Sequence, residues 1–159
     1  MRYPVIGLCL LLLLISSGCA TYKLQYSDEH KPITFPDSKE IIHSFYLIGD
    51  GGNSPIGEFS DALAKFREEV KNAPENSTAI FLGDNIYPKG LPEKNSKGRA
   101  FAEHQLDVQT KAVKDFPGNT IFIPGNHDWY SKGVKGLKRQ ENYVEDKLGK
   151  NSFLPENGC

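Results

Sequence analysis

Three stretches decide the fold: IIHSFYLIGDGG over Ile41–Gly52, TAIFLGDNIY over Thr78–Tyr87 and TIFIPGNHD over Thr120–Asp128. Each is a short run of aromatic and β-branched residues that stops at a glycine followed by acidic or amide side chains. Such runs read as buried strands ending in tight turns, placed here at Ile41–Ile48, Thr78–Leu82 and Thr120–Ile123. Between them, Ile56, Phe59, Leu63, Phe66 and Val70 recur at steps of three and four, which predicts an amphipathic helix over Pro55–Lys71. A less regular helix is expected from Ala100 to Lys114, with Val108 and Ala112 inward, and a third over Gly136–Leu148, closed by Gly149. The order strand-helix-strand-helix-strand-helix defines an α/β chain with a mainly parallel sheet, and such sheets bind ligands at the carboxyl ends of their strands.

All three strand ends carry polar chemistry: Asp50, then Asp84 with Asn85 and Tyr87, then Asn126, His127 and Asp128, each group introduced by a glycine that lets the backbone turn. Carboxylates gathered at one site repel unless cations neutralise them, and oxygen-rich ligation with one imidazole suits iron, manganese, magnesium or zinc. Each residue has a plainer reading. Asp50 and Asp84 serve equally as turn or helix-cap residues, Tyr87 as a packed aromatic, and Asn126 and His127 as turn stabilisers. Trp129 and Tyr130 line a pocket or pack. His30, His43 and His104 match no pattern and read as solvent-facing or capping residues. The 88–99 loop, with Lys89, Lys94, Lys97 and Arg99 against Glu93, reads as solvated, and its positive charge would attract phosphate.

IGDGG at Ile48–Gly52, GDNIY at Gly83–Tyr87 and GNHD at Gly125–Asp128 together resemble the calcineurin-like metallophosphoesterases. Tyr three positions after Asp84 resembles the purple acid phosphatase branch, including the tartrate-resistant type. The resemblance implies a metal-dependent phosphoester hydrolase in which a metal-bound hydroxide attacks phosphorus. It implies the amino-terminal half of a four-layer αββα sandwich. It also implies two metal ions, iron at the Tyr87 site plus iron, zinc or manganese at the second. Asp50 and Tyr87 would bind the first ion, Asp84 would bridge both, and Asn126 would bind the second. His127 would hydrogen-bond the phosphate or protonate the leaving group, and Asp128 would orient its ring. The family also uses histidines after GNHD, whereas no histidine follows His127. The chain is therefore expected to be a partial domain, with a non-catalytic envelope lipoprotein as the alternative. A nucleotide-binding module is disfavoured, because no Gly-rich phosphate loop with its Lys-Ser/Thr pair occurs.

Upstream, VIGLCLLLLLI over Val5–Ile15 follows Arg2 and precedes Ser-Ser-Gly-Cys19, the layout of a secretory signal. Eleven apolar residues make about 16 Å of helix, short of a ~30 Å hydrocarbon core. Ser16–Cys19 resembles the lipobox of bacterial lipoproteins, which implies lipidation of Cys19 and a place in the cell envelope; ordinary cleavage or an uncleaved anchor are the alternatives. This gives residues 1–18 as signal, 19–39 as tether and 40–159 as the partial domain. With 19 basic and 20 acidic residues the net charge is −1, so no nucleic-acid partner is expected; the expected partners are a phosphorylated small molecule and, through the anchor, the membrane. Three scattered cysteines exclude a thiolate metal site.

Overall fold

The chain divides into two units, Met1–Ser38 and Lys39–Cys159. The structure, a computed structural model, describes residues 41–156, all within the second. The signal, Cys19, the tether and His30 lie outside the described residues. Among those described, no helix is long and apolar enough to cross a membrane.

Three strands, β1 (Ser44–Ile48), β2 (Ser77–Phe81) and β3 (Asn119–Phe122), form a parallel sheet in the order β1-β2-β3. The helices are α1 (Asp61–Lys71), α2 (Arg99–Ala112), the short α3 (Asn126–Trp129) and α4 (Val134–Leu148). The mixed α/β reading holds, with differences at the ends of its elements and one added turn.

β1 begins at Ser44, not Ile41, because its register with β2 starts at Ser44↔Ser77; upstream, the Ile42 carbonyl accepts from the Asn76 side chain at 2.8 Å instead of from a strand backbone. It is also an edge strand rather than a buried one: Phe45 and Leu47 are 65% and 57% exposed. α1 begins at Asp61 rather than Pro55. Ser60 caps it by accepting the Leu63 N–H at 3.4 Å, and Gly57 at φ 84° sits in the turn before it. Ile56, expected on the helix stripe, is therefore exposed, while Leu63, Phe66 and Val70 are buried as expected. α3 is a single turn that the sequence does not signal. Val108 and Ala112 face inward as expected, and the Gly149 N–H closes α4 on the Glu145 carbonyl at 2.9 Å.

The register sets Ile48, Phe81 and Phe122 side by side on one sheet face. Phe81 and Phe122 stack at 4.0 Å, and Leu63, Leu106 and Val144 of the three long helices complete this core with Phe153. Phe153 joins through a parallel bridge to Phe122. Burying side chains of this size stabilises the fold by roughly 1.5–3 kcal/mol each, enough to hold the strand ends in fixed relation.

Candidate metal centre

Past the strand ends the backbone keeps pairing. The Asp50 N–H donates to the Gly83 carbonyl and the Gly52 N–H to that of Asp84, both at 3.1 Å, and the Tyr87 N–H returns to Gly52 at 2.9 Å. The turning residues are the aspartates as much as the glycines: Asp50 and Asp84 themselves lie in the left-handed region, at φ 56° and 52°. Gly125, by contrast, is extended and is needed for close approach, since a Cβ there would stand 2.2 Å from Asp84 Oδ1.

This backbone brings Asp50, Asp84 and Tyr87 together. The Tyr87 hydroxyl donates to Asp50 Oδ1 and, at 2.9 Å, to Asp84 Oδ2. The hydrogen bond to Asp50, then desolvation and the bond to Asp84, hold the phenol well above its ordinary pKa. Asp84 also accepts the His127 N–H at 3.0 Å through Oδ1. Two carboxylates sharing one phenolic proton form a donor set that fits a cation of high charge, which would take that proton's place. Among the described residues no three His, Cys, Asp or Glu side chains group to hold an ion.

Asn126 is exposed beside these residues and donates through Nδ2 to the Tyr130 hydroxyl at 2.8 Å. The His127 ring lies 4.4 Å from that of Tyr87 and 5.1 Å from that of Tyr130. Its Nδ1 is 2.9 Å from the Pro88 carbonyl. A carbonyl only accepts, so Nδ1 carries a proton and Nε2 remains for other chemistry.

Asp128 does not orient that ring. Its carboxylate is fully buried and accepts the N–H groups of Gly125, Asn85 and Ile86 at 2.8, 3.1 and 3.1 Å, together with Asn85 Nδ2 at 3.2 Å. Burial raises its pKa, against the lowering by the Gly125 and Asn85 hydrogen bonds. Pro88 takes the orienting place because Asp128 points into the loops. Asp128 is thus the clasp between the turns after β2 and β3.

Two glutamines of α2 support the same turns. Gln105 brackets Ser54, accepting its N–H at 2.7 Å and donating to its carbonyl at 3.1 Å, and Gln109 donates to the Asn85 carbonyl at 2.7 Å. Their i, i+4 spacing on the buried face of α2 was the available signal. His43 and His104 are elsewhere, bonded to the Thr78 hydroxyl at 3.0 Å and the Pro55 carbonyl at 2.7 Å. The 88–99 loop is exposed over 93–98, as a solvated loop is, but Gly90 and Leu91 are buried. Arg99 is buried in an ion pair with Glu103 at 2.8 Å, which removes it from the positive surface.

A parallel α/β domain with carboxylates, a phenol and an imidazole at the carboxyl ends of its strands is an α/β protein built for a polar, cation-assisted ligand site. The chain belongs to the calcineurin-like phosphoesterase family, whose model matches residues 24–158. Membership implies metal-dependent phosphoester hydrolysis with two metal ions, on phosphorylated substrates. No curated protein and no solved structure matches the chain.

Proposed function

We propose that this protein is an exported, lipid-anchored phosphatase of the purple acid phosphatase branch, with Asp50, Asp84 and Tyr87 as the iron-binding face of its site. The observation that carries the proposal is the Tyr87 hydroxyl shared between Asp50 and Asp84. Asp84, shared with a second ion, and Asn126 would hold that ion, which would be iron, zinc or manganese. Ions held there would supply Lewis-acid stabilisation of phosphoryl charge and an acidified water as nucleophile. His127, with its Nδ1 proton on Pro88, has Nε2 free to accept a proton and, in the doubly protonated ring, to pass it to the leaving-group oxygen. Asp128 holds the turns that carry Asp84 and His127, a positioning role. Cys19 carries the lipid and places the domain at the bacterial envelope.

Iron(III) titrated into the full chain tests the site: a visible phenolate-to-iron absorption band should appear and should vanish in Tyr87→Phe. A colourless iron-bound protein overturns the assignment. Phosphatase turnover unaffected by Asp84→Asn overturns the catalytic reading, and metal binding without any turnover assigns the loops to a binding role instead. Radiolabelled fatty acid incorporated by the wild type and lost in Cys19→Ser tests the anchor.

A further inference from the structure

The backbone and the side chain of Asn126 are held by different means. The His127 N–H donates to Asp84 Oδ1 at 3.0 Å and the Gly125 N–H to Asp128 Oδ2 at 2.8 Å, which fixes the chain on either side of residue 126. The Asn126 side chain is exposed, and its one hydrogen bond among the described residues runs from Nδ2 to the Tyr130 hydroxyl at 2.8 Å.

The two residues stand four apart across the single turn of α3 and so share one face of it. Tyr130 is itself held. Its N–H donates to the His127 carbonyl at 3.2 Å, and its ring meets that of His127 edge-on, with centroids 5.1 Å apart. The hydroxyl is thus an acceptor at a set place beside a side chain that nothing else restrains.

An amide has two ends of opposite chemistry. Its oxygen can ligate a cation, whereas its NH₂ group only donates; the two ends are alike in size, so an unrestrained asparagine turns between them. With Nδ2 committed to Tyr130, Oδ1 is the end left for a ligand, and it accepts no hydrogen bond among the described residues.

We propose that the Tyr130 hydroxyl is a positioning group for the second metal ion, holding the Asn126 amide by its nitrogen so that Oδ1 is presented for ligation. The inference rests on the reading of Asp84 and Asn126 as the residues that hold that ion. Tyr130 does not ligate; it acts through the residue that does. Ordering one free side chain on binding lowers affinity by about three- to tenfold, and a side chain already held escapes that loss.

Zinc, titrated calorimetrically into the full chain carrying one equivalent of iron(III), tests this. Tyr130→Phe removes one exposed oxygen and keeps the ring. It should weaken zinc about three- to tenfold, while the phenolate-to-iron band of Tyr87 and the melting temperature stay as in the wild type. Asn126→Asp provides the control that a merely structural role would fail. Both of its ends are oxygens, so orientation no longer matters, and in that background Tyr130→Phe should change zinc affinity less than about twofold. Wild-type zinc affinity in Tyr130→Phe overturns the inference, as does an equal loss in both backgrounds. Asn126→Ala separates the two readings. Zinc lost there but kept in Tyr130→Phe retires Tyr130 alone, whereas zinc affinity indifferent to Asn126→Ala retires Asn126 as a ligand and the inference with it.

Discussion

Asp128 and Asn85, 43 positions apart in sequence, are joined twice: one carboxylate oxygen of Asp128 accepts both the backbone N–H and the side-chain amide of Asn85, at 3.1 and 3.2 Å. With Gly125 and Ile86 also donating to this carboxylate, Asp128→Ala strands the three backbone N–H groups of Asn85, Ile86 and Gly125, while Asn85 Nδ2 keeps the Ile123 carbonyl at 2.8 Å. The expected loss is about 4 kcal/mol of unfolding free energy, and about half of that in Asp128→Asn, which keeps one acceptor oxygen. Urea denaturation measures both. An Asp128→Ala variant with wild-type stability and no activity would return the residue to a direct role in chemistry.

Gly125→Ala presses a methyl group into the Asp84 backbone and carboxylate, 2.3 Å from N and 2.2 Å from Oδ1. It should cost about 3 kcal/mol and displace Asp84. Gly49→Ala, next to Asp50, meets only Leu82 Cβ at 3.7 Å and should stay within about 0.5 kcal/mol of wild type. Thermal unfolding of the pair distinguishes close approach from a general need for glycine at these turns.

Gln105 and Gln109 look equivalent and should not behave so. Gln105→Leu leaves both backbone polar groups of Ser54 without their partner and should cost about 2–4 kcal/mol. Gln109→Leu frees the Asn85 carbonyl but also removes Gln109 Oε1, a buried oxygen with no hydrogen-bond partner, so the two effects offset to within about 1 kcal/mol. Equal destabilisation of the two variants would refute this account.

Lys150 Nζ, at 2.5 Å, and the Asn151 N–H, at 3.0 Å, hold the Glu145 carboxyl below its ordinary pKa. A lowered folded-state pKa stabilises above the unfolded value and loses that contribution as pH falls through the folded one. Glu145→Gln should therefore melt lower than wild type at pH 7, and the gap should narrow as acid takes the pH down through the lowered folded-state value, where the wild-type residue is protonated too. A gap constant down to pH 3 would show that the charge is not the cause.

The strands and the polar residues at their ends were legible in the sequence because both signals are local: an apolar run, then Gly-Asp or Gly-Asn. What a carboxylate bonds is not local. The family resemblance implied that Asp128, beside His127 in the chain, orients its ring, yet its side chain crosses to residues 85 and 86 of the preceding turn. Gln105 and Gln109 offer only their i, i+4 spacing, and what they bond is fixed once α2 is docked under the loops. Ile56 shows the opposite error: its spacing fits the α1 stripe, but the Ser60 cap starts the helix after it.

The left-handed backbone at Asp50 and Asp84 has an evolutionary consequence. Aspartate, asparagine and glycine are the residues that accept this conformation at little cost, and a single base change converts an aspartate codon into that of either alternative. Both replacements preserve the turn, the strand pairing beyond it and the core beneath, while removing the charge. Charge and shape are thus inherited separately at these two positions. A lineage can lose or recover its chemistry by point substitution without refolding, and descendants that keep the architecture but carry asparagine at either turn are the expected trace.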